Sequence, residues 1–434
     1  MRKYQLLLIP FCLVLAAVSC EKAEDTPIQS EILSNTLESP NAFAKADYLE
    51  STFKGYTEMP EVAKIGLQAL LLKLNAKMDQ KMQDESGYMK PDWGYRRLVV
   101  RYSSVDSQGR PIQLRELIVF PEGRNWKHKV PQIILCSNIT NTMNATVPTE
   151  TSYFFSITAA RDAIFICPDG QGFDETRDRD PLFIGIKLGT RQVLDGLWAA
   201  MDVLEEQNIA LTPDHTFLNI GYSLGAATAL SVHKEYEVSF TDAMRKRVGP
   251  IQSVCGAGPY NPAATLKWFK NQEDLTYAIG IPLAICGIRE AHPDLLSQYP
   301  LESYFSQNFL DAGILEMLRS RNYSANFIND AIRKRVGSNY AKIISPALLD
   351  TSSPIYRTTL SAFARENILE DGWKAAYPIY LIQAKDDSIV PYLNSEYALQ
   401  QLGSKAKLIT SPSVPGVENH YSAAAFFGEK ILTL

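Results

Sequence analysis

Residues 216–227 read TFLNIGYSLGAA, and this stretch decides the fold of the chain. The run Thr216 to Ile220 combines apolar and β-forming residues over the length of a short buried strand. The next five residues, Gly221-Tyr222-Ser223-Leu224-Gly225, match the pattern G-x-S-x-G. Small residues on both sides of a serine allow a strand to turn sharply into a helix, which lifts the serine above the sheet. The stretch therefore predicts a strand–turn–helix unit with Ser223 accessible at the turn.

Outward from this unit, strand-like and helix-like segments alternate along the chain. Helical periodicity covers Leu188 to Gln207 and the run from Leu224 to Lys234. The other short apolar runs are typical of buried strands: Gln132 to Cys136, Ala163 to Cys167, Ile251 to Cys255, Ile379 to Ile382 and Lys405 to Ile409. Alternation of this kind favours parallel strands in one sheet with helices on both faces. We therefore predict an α/β protein with a mostly parallel sheet.

Two further regions complete the predicted organisation. Tyr95 to Ser104 and Ile112 to Phe120 flank a turn containing Gly and Pro, which predicts an antiparallel hairpin. Between residues 259 and 373 the strand signal fades and helical patterns dominate. A segment this long is not a simple loop. We interpret it as a helical cap inserted between two parts of one core, residues 46–258 and 374–434.

A serine hydroxyl is a weak nucleophile at neutral pH, so Ser223 needs a base and an acid that orients the base. In proteins with a serine on such a turn, the acid and then the histidine follow along the chain. Of five histidines, only His420 lies beyond every late strand. Asp386 and Asp387 both follow the run Ile379 to Ile382. Asp387 is the predicted acid and Asp386 the reserve candidate.

These motifs together resemble the α/β-hydrolase superfamily from about residue 95 to the end, and within it the secretory lipases with a large helical cap. The resemblance is carried by the Ser223 turn, by Pro168-Asp169-Gly170-Gln171-Gly172, by Gly372-Trp373, and by the loop that ends at Pro391. It implies the α/β-hydrolase fold, with Ser223 as nucleophile, Asp387 as acid and His420 as base. It also implies that the Leu224 N–H donates to the oxyanion of the reaction.

One stretch departs from the superfamily pattern. Many α/β-hydrolases carry His-Gly where this chain has Cys136-Ser137-Asn138-Ile139-Thr140, and a backbone N–H from that place completes the oxyanion hole. Asn138 and Ile139 both remain candidates for the second donor. The acid strand also differs, because it ends in Gln383-Ala384 where many relatives have His-Gly.

The first 20 residues read MRKYQLLLIPFCLVLAAVSC. Their apolar run is too short to span about 30 Å of hydrocarbon as a helix and is typical of a signal peptide. A small residue directly before Cys20 resembles a bacterial lipobox. We therefore expect a signal peptide over 1–19, a lipidated Cys20 that anchors the chain to a membrane, and a polar tether over 20–45. The expected location is the cell envelope of a Gram-negative bacterium, at the outer membrane; an ordinary secreted protein is the alternative.

Composition narrows the partners and cofactors. The net charge is −5 and no block of Lys or Arg occurs, which argues against nucleic acid. No metal or cofactor motif is present, so we expect none. Of the six cysteines, Cys12 lies in the predicted signal peptide and Cys20 is the predicted lipidation site. Three of the other four lie in predicted strands, which favours buried thiols, although a disulfide among them is still possible. The four are Cys136, Cys167, Cys255 and Cys286.

The sequence thus predicts a serine hydrolase that cleaves carboxylic esters of small molecules or lipids. Two alternatives remain open at this stage. A peptidase or amidase would use the same three residues, and an acidic pair in the cap placed for a peptide amine, with Glu290 and Glu302 as candidates, would favour it. A non-catalytic surface-binding lipoprotein is the alternative from a different class.

Overall fold

The computed structural model describes residues 29–38, 93–123, 130–150 and 163–434. The predicted signal peptide and Cys20 lie outside these ranges, as does the segment 61–82, whose leucine spacing predicts a helix. Within the described residues one nine-stranded sheet has the order β1-β2-β3-β5-β4-β6-β7-β8-β9. The strands are β1 (Ser30–Glu38), β2 (Trp93–Val105), β3 (Pro111–Gly123), β4 (Val130–Ser137), β5 (Ala163–Pro168), β6 (Leu211–Tyr222), β7 (Ile251–Gly256), β8 (Ile379–Gln383) and β9 (Ala406–Thr410).

Strand directions divide the sheet into two parts. β1, β2 and β3 pair antiparallel with one another, and β3 pairs antiparallel with β5. The remaining pairs are all parallel: β5 with β4, β4 with β6, β6 with β7, β7 with β8, and β8 with β9. The predicted hairpin is β2–β3, and the mostly parallel sheet confirms the predicted fold class. Because parallel strands end at the same edge, the loops after β4, β6, β8 and β9 meet there.

Helices cover both faces of this sheet. α1 and α2 pack on one face, where Leu197 and Val232 contact Phe217 of β6 in an apolar cluster. α14 packs on the other face, where Phe427 joins Ile220 in a second cluster. The helices are α1 (Ile186–Glu206), α2 (Leu224–Val238), α3 (Asp242–Val248), α4 (Pro262–Lys270), α5 (Gly280–Ala291), α6 (Pro293–Leu296), α7 (Gln307–Asp311), α8 (Ile314–Ser320), α9 (Ala325–Arg335), α10 (Tyr340–Ile343), α11 (Pro346–Leu349), α12 (Pro354–Arg365), α13 (Leu393–Leu402) and α14 (Asn419–Thr433).

The segment between β7 and β8 is helical, from α4 to α12, with one isolated β-bridge between Phe305 and Ile344. Its short helices are held together by their own apolar cluster, which includes the fully buried Ile288, Phe309 and Ile332. The helical character of this segment agrees with the sequence pattern. Its boundaries as a separate cap, at residues 259 and 373, stay a prediction.

The N-terminal part of the sheet corrects one expectation. Residues 30–38 were expected to lie in a polar tether but form β1, which pairs with β2 along its whole length. Most residues of β1 are polar or exposed, so it lacks the apolar run that marks a strand in the sequence. Backbone pairing to β2 and the contact of Ile32 with the core stabilise it instead.

The four cysteines in the described residues are free and buried. Cys136 and Cys167 lie on the neighbouring strands β4 and β5, and Cys255 lies on β7. The thiols therefore act as small apolar side chains in this structure. No helix among the described residues has the length and apolar character needed to cross a bilayer.

Candidate active site

Ser223 sits on a turn that its neighbours make possible. Ser223 has φ +54° and ψ −126°, a backbone conformation that residues other than glycine rarely adopt. An added Cβ at Gly221 would lie 2.1 Å from the Gly225 carbonyl oxygen, and one at Gly225 would lie 2.2 Å from the Ser137 carbonyl oxygen. Both positions therefore need glycine. The Ser223 N–H donates to the Gly256 carbonyl at 2.8 Å, which holds the turn against β7.

His420 contacts Ser223 from the start of α14. Its Nε2 lies 3.0 Å from Ser223 Oγ, within hydrogen-bond distance, and its Nδ1 lies 2.8 Å from Asp387 Oδ2. His420 and Asp387 are buried, whereas Ser223 is partly exposed. The structure thus brings together the three side chains that the sequence singled out, in the order needed for proton transfer from the hydroxyl.

The carboxylate of Asp387 is fixed by the loop after β8. Its Oδ1 accepts hydrogen bonds from the N–H groups of Ile389 and Val390, at 2.9 and 2.8 Å. Its Oδ2 also accepts from Gln383 Nε2 at 3.3 Å. Asp386, the reserve candidate, is exposed and lies outside this network. Of the two adjacent carboxylates, only that of Asp387 contacts the histidine.

Two positioning residues were missed in the sequence. Gln383, noted only as a departure from His-Gly, is fully buried and also donates to the Val390 carbonyl at 2.6 Å. Glu418 accepts from the His420 N–H at 2.6 Å and from the Ser388 N–H at 3.0 Å. Glu418 thereby joins the loop of the acid to the loop of the base. Its place two residues before His420 was the signal available in the sequence.

The charges around His420 change its acidity. Burial disfavours its protonated form, but the charge and hydrogen bond of Asp387, together with the charge of Glu418, raise the pKa of His420 above its usual value. An imidazolium formed during a reaction is therefore stabilised at this site.

Of the three oxyanion candidates, Leu224 and Ile139 line the cavity at Ser223 and Asn138 does not. The N–H of Leu224 begins α2, and the first N–H groups of a helix have no acceptor within it. Ile139 lines the same cavity as Ser223 and is 50% exposed. The Asn138 side-chain amide donates to the Asp169 carbonyl at 3.3 Å, and Asn138 does not line the cavity at Ser223. Ser137, which sequence reasoning did not consider, lines the cavity with a buried hydroxyl that has no partner in the described residues.

The cavity above Ser223 has a volume of about 380 Å³ and is predominantly apolar. The sheet domain contributes Ile184, Val390 and Phe427 to its wall, and the helical segment contributes Leu266 and Phe269. Among the described residues that line it, none is Asp, Glu, Lys or Arg. The site can therefore bind an apolar group next to the serine.

Neither acidic candidate for binding a peptide amine reaches this cavity. Glu290 lies at the far end of α5, where it contacts Gln171 at 2.8 Å and Arg179 at 3.4 Å. Glu302 is exposed in a short 3₁₀ turn. The structure does not bring either carboxylate near Ser223.

Comparisons with known proteins identify structural neighbours but no close sequence relative. No protein-family model matches the chain, and no curated protein matches it in sequence. The rice cell wall degrading esterase LipA from Xanthomonas oryzae is similar with a TM-score of 0.67 at 16% identity, over 93% of this chain and 96% of that one. A candidate hydrolase from Legionella pneumophila has a TM-score of 0.65 at 14% identity, over 93% and 96%.

Candida antarctica lipase A in its closed state is a more distant neighbour. It has a TM-score of 0.52 at 14% identity, over 74% of this chain and 73% of that one. At these identities the likeness concerns the fold. The chain has the α/β-hydrolase fold, as the sequence predicted, with a mixed, mostly parallel nine-stranded sheet.

Proposed function

We propose that this protein is a serine hydrolase that cleaves carboxylic esters. The observation that carries the proposal is the hydrogen-bonded series Asp387, His420, Ser223 at an apolar cavity. Each residue has the role its contacts support: Ser223 is the nucleophile, His420 the base and Asp387 the acid that orients the base. Structural neighbours described as an esterase and a lipase agree with this choice of reaction.

The first half of the reaction forms an acyl-enzyme. His420 Nε2 accepts the Ser223 hydroxyl proton while Oγ attacks the ester carbonyl carbon. The carbonyl oxygen becomes an oxyanion, which accepts a hydrogen bond from the Leu224 N–H and a second from the 138–139 stretch. Ile139 is the better candidate for the second donor because it lines the cavity and Asn138 does not. Collapse of the tetrahedral intermediate breaks the bond to the alcohol oxygen, and His420 returns the proton to the leaving alcohol.

The second half restores the enzyme. His420 takes a proton from water, and the hydroxide oxygen attacks the acyl carbon bound to Ser223. Collapse then releases the carboxylic acid and returns the proton to Oγ. Asp387 stays ionised and stabilises the imidazolium in both halves. Gln383 and Glu418 act as positioning residues because they hold Asp387 and His420 in place.

The cavity indicates the substrate class. An apolar lining without Asp, Glu, Lys or Arg suits the acyl chain or the apolar alcohol of a small-molecule or lipid ester. A carboxylate placed for a peptide amine would favour a peptidase, and neither Glu290 nor Glu302 lines the cavity. The helical segment would act as a cap that supplies one wall of the pocket.

Turnover of p-nitrophenyl esters from acetyl to palmitoyl tests the proposal. The purified protein should hydrolyse at least one of them, and Ser223→Ala should lower turnover by at least about 10³-fold. The preferred acyl chain length would then indicate how long a group the cavity at Ser223 can hold. A folded protein with no turnover on any ester, or one whose Ser223→Ala variant is fully active, contradicts the proposal. Cleavage of amides but not esters would favour the peptidase, and neither activity would favour a binding protein.

We also propose that Cys20 is lipidated and anchors the protein to the outer membrane of a Gram-negative bacterium. The support is the sequence of residues 1–20. Labelling of cells with radioactive palmitate should mark the wild-type protein and not Cys20→Ala, and Cys20→Ala should leave the membrane fraction. Equal labelling of both proteins would contradict lipidation.

A further inference from the structure

A second cavity, separate from the one at Ser223, is lined by arginine. It has a volume of about 600 Å³. Six of its lining side chains are Arg110, Arg177, Arg179, Arg289, Arg319 and Arg321. This concentration of positive charge occurs in a chain whose net charge is −5. We refer to this cavity as the arginine pocket.

The arginines converge from distant parts of the chain. Arg110 lies in the β2–β3 turn, Arg177 and Arg179 in the loop before α1, and Arg289 near the end of α5. Arg319 lies near the end of α8, and Arg321 directly follows that helix. No short motif therefore marks this pocket in the sequence.

Carboxylates balance only part of this charge. Arg110 and Arg179 both bind the buried Asp106, at 2.7 and 3.1 Å. Arg179 also lies 3.4 Å from Glu290, and Arg321 lies 3.5 Å from Asp180. Six guanidinium groups thus face three lining carboxylates, those of Asp178, Asp180 and Glu290, with Asp106 as a fourth beneath them.

Three of the arginines have no carboxylate partner within 4 Å in the described part of the chain. They are Arg177, Arg289 and Arg319. Arg177 and Arg319 are exposed, and the one hydrogen bond of the Arg177 guanidinium in the described residues is from Nη2 to the Ser320 carbonyl, at 3.4 Å, which leaves its other N–H groups open to a ligand. Arg289 donates from Nη1 to the carbonyl groups of Leu296 and Tyr299, at 2.8 and 2.7 Å. These bonds orient the Arg289 guanidinium, which lies 4.9 Å from the centre of the Tyr304 ring.

The walls of the arginine pocket are held in a fixed arrangement. Arg321 is 3% exposed, and its guanidinium donates to the Gly172 carbonyl at 2.9 Å and to the Arg179 carbonyl at 2.7 Å. It thereby joins the end of α8 to the loop before α1. Gln171 continues the connection, because its Nε2 donates to Glu290 at 2.8 Å. A site ordered before binding loses less entropy when a ligand arrives.

We propose that the arginine pocket binds the phosphate group of a small phosphorylated molecule. Guanidinium groups match phosphate oxygens in geometry and donate charge-assisted hydrogen bonds to them. A phosphate monoester carries nearly two negative charges at neutral pH, which suits the positive excess of the lining. Asp178, Ser107 and Gln108 also line the pocket and can accept or donate hydrogen bonds to hydroxyl groups on the rest of the ligand. This inference does not rest on the proposed ester hydrolysis.

Calorimetric titration with inorganic phosphate, glucose 6-phosphate, glucuronate and glucose tests the proposal. The full chain should bind glucose 6-phosphate and phosphate, the sugar phosphate more tightly, and binding should weaken as salt increases. The double variant Arg177→Gln/Arg319→Gln should lower the affinity by about 10-fold for each arginine removed. Both side chains are exposed and neither is paired with a carboxylate, so the fold should be retained.

A matched control removes two charges elsewhere. Arg357→Gln/Lys405→Gln replaces two exposed cations that do not line the arginine pocket, and it should bind as the wild type does. Equal weakening in the control would mean that overall charge, not the pocket, attracts the anion, and would overturn the proposal. The proposal would also be overturned if the protein bound neither inorganic phosphate nor glucose 6-phosphate, or if it bound glucuronate as tightly as glucose 6-phosphate.

Vesicles distinguish a lipid headgroup from a soluble ligand. Co-sedimentation with phosphatidic acid vesicles but not phosphatidylcholine vesicles, lost in the double variant, would assign the phosphate to a lipid. Binding of glucose 6-phosphate without co-sedimentation would assign it to a soluble molecule. Hydrolysis of a neutral p-nitrophenyl ester by the double variant should equal that of the wild type, so that the two proposals fail separately.

Discussion

The apolar cavity at Ser223 and the arginine pocket are lined by different parts of the same helix and loop, and they differ in chemistry. Gly280, Ile281 and Ala284 of α5 line the apolar cavity at Ser223, whereas Arg289 and Glu290 at the other end of the same helix line the arginine pocket. The loop before α1 is divided in the same way. Its residues 177–180 line the arginine pocket, and its residues 183 and 184 line the apolar cavity.

The difference in lining gives each cavity its own kind of ligand. At Ser223 an apolar wall excludes water, which strengthens the few hydrogen bonds that a reaction needs. In the arginine pocket an open, charged wall keeps its cations hydrated until an anion replaces the water. Helix α5 is 12 residues long, so its two ends can lie in different environments while the helix stays rigid. Substitutions at either end should therefore act on one cavity and not on the other.

The largest effect is expected from Asp387→Asn at the apolar cavity. Loss of the carboxylate leaves His420 without its orienting charge and should lower kcat for ester hydrolysis by about 10⁴-fold. Steady-state kinetics on p-nitrophenyl esters measure this effect, with the exposed Asp386→Asn as the matched control. Equal losses in both variants would show that the assignment of the acid to Asp387 is wrong. Phosphate binding in the arginine pocket should be unchanged in both.

Gly225→Ala should destabilise the turn that supports the apolar cavity. The added Cβ would lie 2.2 Å from the Ser137 carbonyl oxygen, so backbone must move. We expect the free energy of unfolding to fall by about 1–3 kcal/mol or more, together with ester turnover. Gly189→Ala in α1 is the control, because the nearest atom to its Cβ would be 4.0 Å away. Chemical denaturation should find that control equal to the wild type or more stable by up to about 1 kcal/mol.

Ala284→Phe should narrow the apolar cavity without affecting the arginine pocket. Ala284 is 7% exposed and lines the cavity from α5, so a larger side chain would occupy the space for a long acyl or alcohol group. We expect kcat/KM for the longest esters to fall at least about 10-fold, with little change for acetyl esters. Arg319→Gln, near the other cavity, should leave the chain-length profile unchanged. A uniform loss on all esters would indicate misfolding rather than a narrower cavity.

The smallest effect is expected from Glu418→Gln, which sharpens the description of the apolar cavity. Hydrolysis needs neutral His420, so kcat/KM should rise with pH through the pKa of His420, which lies above its usual value of 6.5. Removal of the Glu418 charge should lower this pKa and move the acid limb of the profile to lower pH. Glu396→Gln, an exposed change on α13, should not move it. A limb that stays in place would mean that Glu418 affects His420 only through the backbone.

The contrast between two segments of the sheet explains what sequence patterns can predict. Around Ser223, the strand, the glycines and the helix are all local and agree with one another, so the turn was predictable from 12 residues. In β1 the side chains are mostly polar, and the strand exists because its backbone pairs with β2, 57 to 72 residues further along the chain. Pairing with a distant strand leaves little trace in local composition.

By itself, the sequence determined the fold class, the strand–turn–helix unit at Ser223 and the choice of His420 and Asp387, because these follow from local patterns and from their order along the chain. Only the tertiary structure decided that Gln383 and Glu418 hold the acid and the base, and that Ile139, not Asn138, faces the cavity with Ser223. The arginine pocket, too, is visible only in the tertiary structure. The arginine pocket joins residues distant in sequence, so it depends on how helices and loops pack, which no local pattern records. Gln383 and Glu418 lie near Asp387 and His420 along the chain, but the fold of the two loops decides which atoms their side chains contact.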